Sequence, residues 1–131
     1  MCLRTTMIHS KKAESDITCY KLVFKKDKFI SIVMDFKYEL NKLYKAKGFV
    51  KVNREKHDFY CNINNGFHSY RTLKDAKEVG SSAYVVLKCI IPKGTEYWEN
   101  SDMGWTREYC SQKIKTVAWK PMWNGKWSET F

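Results

Sequence analysis

The sequence lacks the features that mark membrane, secreted and linker-containing proteins. Its 131 residues include only two prolines and six glycines, and they contain no low-complexity linker and no internal repeat. No apolar run approaches the roughly 20 residues that a membrane-spanning helix needs. The first residues contain no long apolar stretch of the kind found in signal peptides. These absences predict a cytoplasmic protein with one domain of ordinary size and no membrane partner.

Paired cysteine ligands are also missing. The five cysteines are widely spaced, and no Cys-x-x-Cys pair occurs among them. An odd number of scattered cysteines is typical of buried free thiols in a reducing compartment. His57, Cys61 and His68 resemble a zinc site only loosely, because structural zinc usually takes four ligands at paired spacing. We therefore predict no metal site.

Negative charge is scarce, with 14 acidic against 24 basic residues and a net charge of +10. Residues 1–60 hold 14 basic and 7 acidic residues, whereas residues 61–131 hold 10 and 7. A positive field attracts nucleic acids, phosphorylated small molecules and acidic protein surfaces. The alternative is a lysine-rich surface whose only role is solvation.

The first half of the chain predicts an arm, two strands and a helix. Residues 1–16 are polar and broken into short pieces, which is typical of an N-terminal arm. The β-branched and aromatic runs Ile17–Phe24 and Phe29–Met34 predict strands joined by a tight basic turn. A short helix is expected after them, with Asp35 as its cap and Gly48 as its end. Its apolar residues recur at helical spacing: Phe36, Leu40, Leu43 and Tyr44.

The second half contains the clearest local signals. Asn64-Asn65-Gly66 predicts a tight turn, because these residues tolerate positive φ. Thr72 and Asp75 match the pattern of a helix start, and they predict a helix over Leu73–Val79. The nearly continuous apolar run Tyr84–Ile91 predicts the central strand of a sheet, covered on both faces.

The C-terminal part predicts further strands and an aromatic tail. Glu96–Trp98 is a short strand-like piece, and the runs Trp105–Ser111 and Lys113–Trp119 are expected to pair with each other. Residues 122–127 hold two of the five tryptophans, so they either pack back on the domain or form an exposed recognition tip. The whole pattern predicts a compact α+β domain over residues 17–131, with a mostly antiparallel or mixed sheet and one or two short helices.

Four segments resemble a family of short proteins with a Met-Cys-Leu-x-Thr opening, found in Bacteroidetes and their phages. The segments are Met1–Thr6, Asp16–Lys21, Gly66–Ala76 and Cys89–Trp98. The family comes without an established activity. The resemblance implies a phage or mobile-element origin, and hence the cytoplasm of a bacterial host cell.

Three motifs in order also resemble the ADP-ribosyltransferase-like fold. They are Tyr20-Lys21, then Gly66-Phe67-His68-Ser69, then Arg107-Glu108-Tyr109. The resemblance implies NAD as cofactor, a nicotinamide-pocket role for Ser69, and a contact from Glu108 to the ribose hydroxyl that stabilises a developing oxocarbenium charge. Tyr20 or Lys21 stands where that fold carries arginine or histidine.

Three classes of function follow from these observations. The first is a protein without a cofactor that binds a nucleotide or another phosphorylated ligand, such as a counter-defence protein that sequesters a nucleotide signal; nucleic acid is a further candidate ligand. The second is an NAD-using transferase with Glu108 and Ser69 as catalytic residues. The third is an inhibitor that covers an acidic host defence protein. The oligomeric state is left open. The candidate ligand-binding residues are Lys21, Tyr20, His68, Arg71, Arg107 and Trp105.

Several of these residues also have a structural interpretation. His68 lies between Phe67 and Ser69, where a satisfied structural histidine is common. Glu108 beside Arg107 is also the pattern of a surface ion pair, worth about 0–1 kcal/mol. The position of each side chain in the fold decides between the two interpretations.

Overall fold

The chain is built mainly from β-strands. A computed structural model describes residues 3–5, 9–32, 36–47, 50–52, 61–64, 66–100, 107–123 and 125–131. Within these residues there are thirteen strands and one helix, and none of the helical structure is long and apolar enough to cross a membrane. The strands are β1 (Leu3–Thr5), β2 (Lys11–Lys12), β3 (Ile17–Lys25), β4 (Phe29–Ser31), β5 (Lys37–Tyr38), β6 (Leu43–Lys45), β7 (Val50–Val52), β8 (Cys61–Asn64), β9 (Phe67–Tyr70), β10 (Val85–Ile91), β11 (Glu96–Glu99), β12 (Glu108–Ser111) and β13 (Lys113–Pro121), and the helix α1 is Leu73–Val79.

Ten strands form one large antiparallel sheet. Eight of them follow the order β2-β11-β12-β9-β3-β10-β13-β6, while β4 pairs with β3 and carries β5 at its other edge. The strands β1, β8 and β7 form a separate antiparallel sheet. The prediction of two strands joined by a basic turn is confirmed, since β3 and β4 pair directly.

The strand β10 lies at the centre of the large sheet, as its apolar sequence predicts. It pairs with β3 along its whole length and with β13 on its other side. Val86, Leu87, Cys89 and Ile91 are fully buried. Lys88, which lies between two of them, is only half-buried, so β10 is more completely covered on one face than on the other. The prediction that both faces are covered therefore holds only in part.

The two faces of the sheet carry separate apolar clusters, because successive residues of a strand point to opposite sides. Residues Cys19 and Val23 of β3 belong to what we call the inner face, and Tyr20 and Leu22 belong to the helix face, on which α1 packs. The buried inner-face cluster is Ala13, Cys19, Val23, Phe29, Tyr38, Phe67, Leu87, Cys89, Ile91, Tyr109 and Ile114. The buried helix-face cluster is Leu22, Tyr70, Ala76, Val86 and Met122.

The helix α1 begins and ends at the predicted residues. The Thr72 hydroxyl oxygen accepts a hydrogen bond from the Asp75 amide at 3.1 Å, and the same hydroxyl donates to the Asp75 carboxylate at 2.7 Å. The helix ends at Gly80, whose amide donates to the Ala76 carbonyl at 3.1 Å. A Cβ at Gly80 would overlap the Met122 methyl group, so the absence of a side chain allows the C-terminal tail to pack closely against the end of the helix.

The predicted helix over residues 35–48 is wrong. Its described residues, 36–47, form the strands β5 and β6 with a turn between them, and Asn41 in that turn has φ of 57°, which interrupts a helix. Tertiary contacts override the helical spacing here. The Tyr38 and Tyr44 rings meet edge to face at 5.2 Å, and the Thr116 hydroxyl of β13 donates to the Glu39 carbonyl.

Two other predictions need correction. The strands β12 and β13 do not pair with each other: β12 lies between β11 and β9, and β13 lies between β10 and β6. Only Gln112 separates them, so the chain passes to another part of the sheet instead of turning back. The α+β class holds only in part, because the domain is compact and mostly antiparallel sheet, with helix as a minor component of the described residues.

Candidate ligand-binding surface

An aromatic residue occurs at every fourth position from the last part of β13 to the end of the sequence. These residues are Trp119, Trp123, Trp127 and Phe131. The tail was predicted either to pack back on the domain or to form an exposed tip, and each alternative describes part of it. Met122 is buried in the helix-face cluster and Trp127 packs against the same cluster, whereas the Trp123 side chain is 53% exposed. The tail is therefore fixed to the sheet while it presents aromatic surface to solvent.

Each of these four rings lies close to a lysine ammonium group. Lys25 Nζ is 4.9 Å from the centre of the Trp119 ring and 4.2 Å from that of Phe131. Lys77 Nζ of α1 is 5.8 Å from the Trp123 ring centre. Such distances are within the range of cation–π attraction, which is worth about 0.5–1 kcal/mol at exposed sites.

Trp127 has the most basic surroundings of the four. Lys88 Nζ and Lys120 Nζ lie 5.5 and 5.4 Å from its ring centre. The ring of Tyr20 lies 6.0 Å away, tilted by 32°. We call these four residues, Tyr20, Lys88, Lys120 and Trp127, the Trp127 platform.

Strand register explains why the platform residues meet. Lys88 of β10 is directly opposite Tyr20 of β3, so both side chains leave the same face of the sheet. Lys120 of β13 is directly opposite Val86, two residues before Lys88 on β10, and therefore also lies on the helix face. The tail then crosses this face and lays Trp127 beside them.

The platform continues into a row of residues across three neighbouring strands. Tyr20 of β3 pairs with Tyr70 of β9, and Tyr70 pairs with Glu108 of β12. Burial and the Glu108 carboxylate together raise the pKa of Tyr70 to about 12. The Glu108 amide donates a hydrogen bond to the Asn100 side-chain oxygen at 3.0 Å. The three motifs of the transferase resemblance thus lie on adjacent strands.

Two of the predicted site residues point to the opposite face. Ser69 is directly opposite Tyr109, and Lys21 is directly opposite Leu87, both of them on inner-face positions. Ser69 is 2% exposed, and its hydroxyl oxygen is buried. The structure therefore separates Ser69 from Glu108 and Lys21 from Tyr20.

Lys21 is buried within the inner-face core. Its ammonium group donates a hydrogen bond to the His68 carbonyl and lies 5.4 Å from the centre of the Tyr38 ring. Burial lowers the pKa of Lys21, and burial also raises the pKa of the neighbouring Cys19 thiol to about 11. A side chain that is 8% exposed does not contribute to the surface around Trp127.

The remaining predicted residues lie beside the row or outside the described residues. His68 is half-buried, with Nε2 3.8 Å from the Cys110 sulfur, and burial followed by the charge of Lys21 lowers its pKa to about 4. Arg71 and Arg107 are both exposed and adjacent, since the Arg71 amide donates to the Arg107 carbonyl at 2.8 Å. Trp105 lies outside the described residues.

Of the residues predicted to bind a ligand, Tyr20 alone belongs to the platform. Lys88 and Lys120 are not among the predicted residues, and the sequence indicates Trp127 only as part of a tail that packs back or forms a recognition tip. Their convergence depends on the pairing of β10 with both β3 and β13, which no local pattern encodes. Within the described residues, no group of three or more histidine, cysteine or acidic side chains is arranged to hold a metal ion.

Comparison with known proteins adds no relative to this description. No protein-family model, curated protein or solved structure matches the chain. The fold and the surface together describe a class in general terms: a mostly antiparallel β-sheet domain with a basic, aromatic surface on one face.

Proposed function

We propose that the protein binds a phosphate-bearing nucleotide ligand at the Trp127 platform. The observation that carries this proposal is the position of two lysine ammonium groups and a tyrosine ring around one half-buried indole. Every nucleobase has a π-face that stacks on an aromatic ring, and lysine neutralises phosphate. The platform places an aromatic ring for stacking and lysine charges for phosphate side by side.

Net charge supports the same ligand class. A protein with a charge of +10 raises the local concentration of anions near its surface. In the phage setting that the sequence resemblance implies, such binding fits a counter-defence protein that sequesters a nucleotide signal. The contacts seen within the platform also hold the tail in place, so the structural role and the binding role use the same residues.

Calorimetric titration with ATP tests the proposal. Lys120→Gln and Lys88→Gln are each expected to weaken ATP binding roughly tenfold, because each removes one charge-assisted contact worth about 1.5 kcal/mol. Added salt should weaken binding further in the wild type. Lys47→Gln is a matched control, since it removes the same charge at an exposed position away from the platform.

The two other classes predict different results in the same experiment. An NAD-using transferase has less support from the geometry, because Ser69 and Glu108 leave opposite faces of the sheet. Consumption of NAD that is abolished by Glu108→Gln would favour the transferase. Absence of binding to ATP and NAD, or equal binding by the Lys120→Gln and Lys47→Gln variants, would contradict a nucleotide site at the platform and leave the inhibitor of an acidic host protein.

A further inference from the structure

A second aromatic and basic feature lies next to the Trp127 platform. The exposed indole of Trp123 faces α1 across an open groove of about 550 Å³. The groove is lined by Leu73, Lys74, Lys77, Glu78 and Trp123. We call it the α1 groove.

The α1 groove and the platform lie on the same side of the sheet. Met122, the residue before Trp123, is buried in the helix-face cluster together with Ala76 of α1, and Trp127 packs against that cluster. Trp127 is four positions after Trp123, so their backbones are at most about 14 Å apart. Both tryptophans of the tail therefore lie over the helix face.

The charges along this path favour a polyanion. Lys74 and Lys77 line the groove, and Lys88 and Lys120 surround Trp127, against the single carboxylate of Glu78 in the groove lining. A mononucleotide is large enough to contact only one of the two features, the Trp127 platform or the α1 groove. A chain of nucleotides reaches both, since a stacked strand rises about 3.4 Å per nucleotide and 14 Å corresponds to roughly four nucleotides.

We propose that the ligand of this face is a single-stranded nucleic acid, which stacks one base on Trp127 and another on Trp123 while its phosphates contact the four lysines. This inference rests on the proposed nucleotide binding and extends it from one nucleotide to a strand. Single-stranded binding is required because the bases of a duplex are stacked on each other and are not available to the indoles. Recognition by stacking and charge is tolerant of sequence.

Fluorescence anisotropy with labelled oligothymidylates tests the inference. A strand of about eight nucleotides is expected to bind at least tenfold more tightly than one of about two nucleotides, because only the longer strand spans both features. Trp123→Ala should weaken binding of the longer strand about tenfold and leave ATP affinity unchanged. Phe131→Ala is the matched control, because Phe131 is equally exposed but packs on Phe29 beside Lys25.

The outcomes separate this inference from the proposed function. ATP binding that depends on Lys120, together with strand affinity that is independent of length and of Trp123, would overturn the single-strand site and leave nucleotide binding intact. Equal affinity for a duplex of the same length would also overturn it. Absence of binding to both ATP and the strands would overturn both proposals. If Trp123→Ala does not fold by circular dichroism, Lys77→Gln provides the same test, with a smaller expected loss.

Discussion

At the residue scale, Lys21 illustrates how a basic side chain serves the fold instead of a ligand. The strands β3 and β9 pair only at Tyr20 and Tyr70 and separate beyond that point, where β4 becomes the neighbour of β3. The Lys21 ammonium group donates to the His68 carbonyl next to this separation. An orphaned buried carbonyl costs about 1–3 kcal/mol, so the bond compensates for a gap in the sheet.

We expect Lys21→Met to lower the free energy of unfolding by about 1–3 kcal/mol, because the His68 carbonyl loses its donor. Burial disfavours the charged form of Lys21 and lowers its pKa, so part of the contribution of this hydrogen bond is offset. Chemical denaturation checks the stability, and ATP titration of the same variant should give the wild-type affinity. Equal or higher stability would mean that the cost of burying Lys21 exceeds the value of its hydrogen bond.

His68 predicts a specific loss of stability in acid. Its pKa is about 4 in the fold against 6.5 in the unfolded chain, so the unfolded state binds more protons between these values. The stability associated with neutral His68 is complete above pH 6.5 and is lost as the pH falls towards 4. His68→Gln should flatten the dependence of the melting temperature on pH in this window, while the exposed His9→Gln should reproduce the wild-type curve. Identical curves for wild type and His68→Gln would contradict the assigned pKa.

At the scale of elements, α1 and β10 are predictable because their signals are local. The capping pair at the start of α1 and the apolar run of β10 lie within the segments that they specify, and both predictions are confirmed. The helix predicted over residues 35–48 fails because Phe36 and Tyr38 pack against the distant Phe67 ring. The Thr116 hydroxyl of β13 also donates to a backbone carbonyl of the same segment. Helical spacing in such a short segment is a weaker determinant than tertiary packing.

The start of α1 provides a direct test at this scale. Thr72→Ala removes the hydroxyl that accepts from the Asp75 amide and should cost about 1 kcal/mol of stability. The exposed Ser82→Ala, which lies beyond the end of the helix, serves as the control. Thermal denaturation of both variants is sufficient, and an unchanged melting temperature for Thr72→Ala would show that the cap contributes little to the fold.

At the scale of the whole molecule, the candidate site is less predictable than the fold. Tyr20 was identified from its place in an aromatic strand, but its partners come from β10, β13 and the tail, and only the sheet order brings them together. The alternation of faces likewise separates Ser69 from Glu108, although they are close in motif order. The face on which each side chain lies follows directly from the strand register. A one-residue change in register, however, moves every side chain of the strand to the opposite face.

Under the proposed function, the basic surface selects a ligand only where lysines lie beside aromatic rings. Many of the 24 basic residues are exposed at positions away from the Trp127 platform and the α1 groove. Under the proposed function, the lysines beside Trp127 and Trp123 differ from these residues, because a base stacked on the neighbouring ring would bring its phosphate within their reach. The proposed function therefore assigns ligand binding to the helix face and not to the whole basic surface.

The indole N–H signals of the five tryptophans in a proton–nitrogen NMR spectrum test this location most directly. Tryptophan-to-phenylalanine variants assign each signal, and buried Trp98, three strands away from β3, is an internal control. On addition of ATP, the account predicts that the Trp127 signal shifts in a saturable way while the Trp98 signal stays in place. A saturable shift confined to tryptophans other than Trp127, or no shift at any ATP concentration, would contradict the claim that the platform binds nucleotides.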